Sequence, residues 1–190
     1  MILIFTAVSK QNIRDFESGS IGEAEFINIL VESERIGLSQ IDRAAHVLAN
    51  DDEFSEYYNI MGSGEILAGG DGEALIIDPI SFEYEDDEDG GGFEVCDPAV
   101  YMTNEEVKNA AAILADVDEN VFREAFDSKM KKLTKWSLLN RKKKALKESA
   151  DDIFELLWKE LDALKQFYEK MAADGNFVVV FSIYEDEDFE

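Results

Sequence analysis

The last forty residues constrain the chain most. Ile153, Leu157, Leu161, Leu164, Tyr168 and Met171 recur at spacings of three and four, and Phe154 and Trp158 widen the stripe. That period predicts an amphipathic helix from Asp151 to Ala173, with Glu155, Lys159, Glu160, Asp162, Lys165, Glu169 and Lys170 mostly on its other face. Ser149 with Asp152 forms an acidic variant of a capping box, and Gly175 suits the left-handed position just past the helix end. The run Phe177–Tyr184 that follows is nearly continuous in apolar and β-branched residues. Such a run belongs to a strand covered on both faces, so the rest of the chain has to supply two covers. This helix–strand unit forms core and carries no chemistry.

Ile2–Val8 reads as a second fully covered strand. The two terminal strands are therefore expected side by side in a central sheet. Ser9 can cap a short helix holding Ile13 and Phe16, closed by Gly19. Ser20 and Glu23 make a capping-box pattern for a helix burying Ala24, Ile27, Leu30 and Val31 and breaking near Gly37. Ser39–Leu48 predicts a third helix with Ile41, Ala44, Ala45 and Leu48 inward, and His46 lies within it. Ala74–Ile77, Ile80–Tyr84 and Phe93–Cys96 read as short strands of a hairpin region, 74–96, that extends the sheet or sits beside it. Ala99–Met102 reads as a short extended piece. Thr103-Asn-Glu-Glu106 is a capping box opening a helix that buries Val107, Ala110, Ala111 and Leu114. Asp118 can cap another, with Val121, Phe122, Ala125, Phe126, Met130 and Leu133 inward. A chain of 190 residues can bury one good core. The expected class is α+β: one domain over 1–190, with a central mixed sheet containing the N- and C-terminal strands and several helices packed on it.

Charge is the extreme feature of the composition. Eighteen basic residues face 43 acidic ones, a net of −25. Nine of the 18 lie between Lys129 and Lys147, a window with no acidic residue, which leaves 9 against 43 and a net of −34 elsewhere. Such a field repels nucleic acid and anionic membrane and attracts basic proteins or cations. The basic window itself reads either as a patch for an acidic partner or as internal counter-charge with dipole complementarity at a helix end; the second reading is preferred, because the acidic body repels phosphate at long range. One cysteine, Cys96, allows no internal disulfide and points to a reducing compartment. The apolar N-terminus lacks a basic leader region, and no apolar run approaches the roughly 20 residues of a membrane span. A cytoplasmic location is expected.

Two motifs invite a ligand and fail on their residues. Five glycines fall between Ile60 and Gly72, but no Lys precedes a Ser or Thr as a phosphate loop requires, and Gly62-Ser-Gly lacks the third glycine of a dinucleotide fingerprint. In the acidic, glycine-ended loop 83–92, Glu85, Asp87, Asp89 and Gly90 match the first positions of a calcium loop. Its twelfth position is Cys96 where a bidentate Glu is needed. A second acidic stretch closes the chain at 185–190. The residues thus specify no cofactor, no metal site and no catalytic set.

Three stretches nevertheless resemble the YfbM-like family, bacterial proteins of α+β fold and unassigned function. They are Ile41-Asp-Arg-Ala-Ala-His46, Ile66-Leu-Ala-Gly-Gly70 and Asp97-Pro-Ala-Val-Tyr-Met-Thr-Asn-Glu-Glu-Val107, and the closing helix from Leu164 to Tyr168 fits as well. Ala45 stands where the family has tryptophan, Val100 where it has arginine and Asp97 where it has glycine. If that Arg and Trp belong to one binding site, part of it is lost here. By position the resemblance carries over Asp42, His46, Pro98 and Tyr101, of which Asp42, His46 and Tyr101 are the candidate binding residues. A histidine has the pKa range of a general base, but no nucleophile accompanies His46, and a hydrogen-bonded structural histidine is the plainer reading. Two functions follow as expectations: an interaction module for a basic protein, of immunity or regulatory type, or an enzyme or small-ligand binder with a pocket near His46 and Tyr101.

Overall fold

The two ends of the chain meet at the centre of the sheet. A computed structural model describes residues 2–48, 81–83, 92–94, 99–134 and 141–183. Strand β1 (Ile2–Val8) lies antiparallel to β6 (Phe177–Ile183) through seven consecutive pairs, from Ile2 opposite Ile183 to Val8 opposite Phe177. Strand β2 (Arg35–Leu38) flanks β1, and β5 (Val100–Met102) flanks β6, giving the order β2-β1-β6-β5. Strands β3 (Ser81–Glu83) and β4 (Gly92–Glu94) pair with each other in a separate two-stranded sheet. The described strands of the hairpin region, β3 and β4, therefore sit beside the four-stranded sheet and do not extend it. Every described pairing is antiparallel, which corrects the expected mixed sheet. The reason is physical: a continuous apolar run reports that both faces are covered and says nothing of the neighbour's direction.

Helices supply both covers. On one face α1 (Lys10–Glu17) and α2 (Glu23–Glu32) bury Ile13, Phe26 and Leu30 against Val8, Tyr101, Phe177, Val179 and Phe181. Phe16 and Phe26 stack at 4.4 Å between ring centres and lock the two helices together. On the other face lie α3 (Ile41–Leu48), α4 (Asn104–Ala115), α5 (Glu119–Leu133) and the long α7 (Ala150–Asp174). They close over Leu3, Phe5, Ala7, Met102, Val178 and Val180. Helix α6 (Arg141–Glu148) leads directly into α7. Along α7 the predicted stripe is the buried one: Leu161, Leu164, Tyr168 and Met171 are wholly inaccessible.

Local signals set most boundaries. Ser9 Oγ accepts from the Asn12 N–H at 3.1 Å, and Asp118 Oδ1 accepts from the Val121 N–H at 2.8 Å. The Thr103–Glu106 box is reciprocal: the Glu106 carboxylate takes the Thr103 N–H at 2.6 Å, and Thr103 Oγ1 takes the Glu106 N–H at 3.4 Å. Gly175 sits at φ +76°, a conformation costly to any residue with a Cβ, and ends α7.

Four expectations are corrected. Ser20 does not cap α2; its hydroxyl meets that of Ser18 at 2.8 Å, and the N–H groups of Ser20 and Ile21 both donate to the Asp15 carbonyl. The turn so formed delays α2 to Glu23; the helix buries Leu30, as expected, together with Phe26, while Ala24 is exposed and Ile27 and Val31 are half-buried. Gly37 is no helix breaker but a strand residue, where an added Cβ would lie 3.2 Å from Ile4 Cδ1. Val121 and Leu133, expected inward on α5, are 46% and 56% exposed; the side chains this helix buries are Phe122 and Phe126. Ser149 makes no side-chain cap, since α6 runs almost unbroken into α7. The readings of 50–59, the glycine run 60–72, the strand 74–77, the acidic loop 84–91, Cys96, Asp97, Pro98 and the tail 185–190 lie outside the described residues.

Leu164 offers the cleanest measure of this core. Leu164→Ala should lower the unfolding free energy by about 2–5 kcal/mol, the usual cost of a buried cavity of that size, read as a fall in the urea midpoint at unchanged slope.

Candidate functional site

The three candidate residues come from two elements, and the sheet separates them. Asp42 and His46 belong to α3. Ile41, Ala44, Ala45 and Leu48 of that helix are buried against the α4, α5 and α7 layer, and His46 takes the exposed side. Tyr101 is in β5, opposite Val179 of β6, and packs in the cluster under α1 and α2. Its ring stacks on Phe177 at 6.0 Å, and its hydroxyl donates to Glu17 Oε1 at 3.1 Å. The sheet therefore keeps His46 and Tyr101 on opposite faces, and they do not share a pocket. Ala45, where the family pattern has tryptophan, is fully buried, so this position is a core position here.

What surrounds α3 is more definite, and periodicity alone could not reveal it. Glu160 projects from α7 to the start of α3. Its Oε2 accepts the Gln40 N–H at 2.7 Å, and its Oε1 accepts the N–H and the hydroxyl of Ser39 at 3.1 and 3.0 Å. A helix N-terminus leaves unpaired N–H groups and a partial positive charge, so a carboxylate satisfies both. The helix that carries Asp42 and His46 is thereby tied to α7 across 120 residues of sequence. Gln40 Oε1 lies buried beside this contact without a hydrogen-bond partner.

A second polar junction joins α5 to α7. Arg123 reaches Asp151 at 2.6 Å and Asp127 at 3.2 Å, while its guanidinium lies 4.6 Å above the Phe154 ring. The hydrogen bond to Asp151, aided by Asp127, holds its pKa above the ordinary value. Lys165 bonds to the Val117 carbonyl and Lys170 pairs with Glu34. Apart from the Arg123–Asp127 pair within α5, these contacts fasten distant parts of the chain to one another.

The clearest perturbed titration belongs to the core. Complete burial pushes the Tyr168 hydroxyl well above its ordinary value of 10.0, and it donates to Met102 Sδ at 3.1 Å. Such a group stays neutral through the physiological range and holds no proton to exchange with a substrate. Among the described residues no group of three or more His, Cys, Asp or Glu is placed to hold a metal ion. Nor is any described helix long and apolar enough to cross a membrane.

Comparison with known proteins is consistent with this picture. Residues 1–181 match the family model of a domain of unknown function, DUF1877. No curated protein matches the chain. Among solved structures, a protein of unknown function from Escherichia coli, YfbM, is similar at 15% identity and a TM-score of 0.55, over 97% of this chain and 100% of that one. At this identity the likeness concerns the fold.

Two measurements follow from these contacts. Glu160→Ala should cost about 1–2 kcal/mol of stability, the range for lost caps and charge-assisted bonds, and should speed amide exchange in α3 more than in α4. Tyr168 gives a pH effect of known sign. Above about pH 10 the unfolded chain loses this proton while the folded chain keeps it, so stability falls as pH rises. Tyr168→Phe should flatten the loss between about pH 9 and pH 11 in denaturant titrations; an identical slope in both proteins would refute the assignment.

Proposed function

The chain belongs to the family of the domain of unknown function DUF1877, and within it we propose that it is a cytoplasmic interaction module for a basic protein partner. The observation that carries this reading is the separation of charge. The net is −25, and outside the window from Lys129 to Lys147 it is −34. On the described surface the carboxylates are exposed: Glu23, Glu25 and Glu32 on α2, and Asp116, Asp118, Glu119 and Glu124 around the start of α5. A surface so charged lowers the stability of the compact state by self-repulsion, and a cationic partner relieves that cost.

Complementary charge contributes chiefly to the rate and selectivity of encounter. An immunity-type or regulatory role toward a partner with a basic surface has the matching chemistry. The pocket-based alternative receives no support from the geometry, because His46 and Tyr101 lie on opposite faces of the sheet. Partner capture on the immobilised chain at low and high salt tests the reading. The expected result is a basic protein retained at low ionic strength, with an association rate about tenfold slower or more at high salt. Recovery of no basic protein at low salt would sink it.

A further inference from the structure

Strand β2 lies at one side of the four-stranded sheet, with β1 beside it. The Ala7 N–H donates to the Glu34 carbonyl at 2.8 Å, and the register that follows sets Phe5 opposite Ile36 and Leu3 opposite Leu38. In an antiparallel ladder, bonded and non-bonded pairs alternate. Glu34, Ile36 and Leu38 therefore direct their main-chain groups at β1, and the N–H and C=O of Arg35 and Gly37 point away from it. Both residues are exposed, and among the described residues no main-chain partner takes up those groups.

Edges of this kind are commonly blunted by lysine, proline or a bulge. Here the charged side chain of the strand, Arg35, is drawn back to the Val31 carbonyl at 2.8 Å, and Gly37 places no side chain over the edge. An added Cβ at Gly37 would lie 3.2 Å from Ile4 Cδ1 and 3.3 Å from Ile2 Cγ2, so these two isoleucines floor the gap beside the glycine. Ile2 and Ile4 are half-buried, as is Ile36 on the opposite face. The edge is also held still at both ends. Glu34 pairs with Lys170, and Ser39 and Gln40 bond to Glu160, so an incoming strand meets a surface that is already ordered.

We propose that β2 is a strand-addition site for an extended segment of a basic partner, with a large apolar residue such as phenylalanine opposite Gly37. An extended main chain carries donors and acceptors at the spacing that Arg35 and Gly37 require. A large ring across from an edge glycine covers the apolar surface the glycine leaves open, here Ile2 and Ile4. Lysines in the segment complement Glu32, exposed just ahead of β2, and the net charge of −25. The sign of the occupant rests on the basic-partner reading above, whereas the strand pairing rests on the edge itself.

A fluorescein-labelled peptide of about six residues is the probe, with phenylalanine at its centre, threonines beside it and lysine at either end. The full chain should bind it at low salt. Amide exchange at Arg35 and Gly37 should slow on its addition, and exchange at Ile36 and Leu38, already bonded to β1, should change less. Two N-methylated versions, one in each phase of the strand, keep the charge; the one whose methyl groups face β2 should bind about tenfold or more weakly. Arg35→Pro removes an outward N–H and spares the bonds to β1, so it should weaken binding in the same direction at a little-changed urea midpoint.

The proposal is overturned if the peptide does not bind, if both methylated versions bind as tightly as the parent, or if exchange at Arg35 and Gly37 is unmoved. Binding indifferent to methylation would have charge as its cause, so the strand site would fall while the basic-partner reading stood. A serine-for-lysine peptide that binds as tightly would overturn the basic occupant instead. A dimer of the chain alone that Arg35→Pro dissociates would overturn the proposal in favour of a second copy at this edge.

Discussion

The fold depends on the pairing of its first strand with its last. β1 and β6 occupy the two middle positions of the sheet, and every other described strand of that sheet is attached to one of them. Neither can be covered on both faces until the helices between them in sequence are in place. Their seven-pair register also fixes the faces: Leu3, Phe5 and Ala7 share a side with Val178 and Val180, and Val8 shares the other with Phe177 and Val179. A slip of one residue would turn both sets over together. Joining chain ends so far apart is entropically slow to reach, yet the closure term grows only logarithmically with length, so the equilibrium cost is modest.

Helix α7 holds that register from one side. Glu34 immediately precedes β2 and pairs with Lys170; Ser39 and Gln40 follow it and bond to Glu160. One helix thus grips both ends of β2 through two side chains lying ten residues apart. The apolar stripe between them fills the space against the sheet. Burial of Leu161, Leu164 and Tyr168 provides the attraction, which is non-directional. The two polar contacts choose which alignment that attraction stabilises.

The parts legible in the sequence are those whose cause is local. The boundaries at Ser9, Thr103, Asp118 and Gly175 each follow from a group within a few residues, and the period of α7 lies within α7 itself. β2 was not legible because its four residues contain only Ile36 and Leu38 as a signal, and its strand geometry comes from β1. The start of α2 was missed for a related reason: the carbonyl of Asp15, on the preceding helix, draws the N–H groups of Ser20 and Ile21. The candidate site shows the same divide. Asp42, His46 and Tyr101 could be named by family resemblance, but spacing along a chain does not reveal which side of a sheet two elements occupy. Glu160 was the opposite case. Its period places it among solvent-facing residues, and only the tertiary arrangement gives it the start of α3 as partner.

Where the polar groups lie bears on how a chain like this can act. Its described interior is apolar, apart from Thr6 and Ser182 on the central strands. Of its described ion pairs, Arg123–Asp151 and Glu34–Lys170 link segments distant in sequence and Arg123–Asp127 lies within α5, all of them at the surface. Among the described residues these pairs lie where water has access, and electrostatic effects are strongest where water is excluded. Recognition by charge needs the reverse: an exterior of one sign held on a rigid frame. The exposed carboxylates of α2 and of the start of α5 supply one such sign on the described frame.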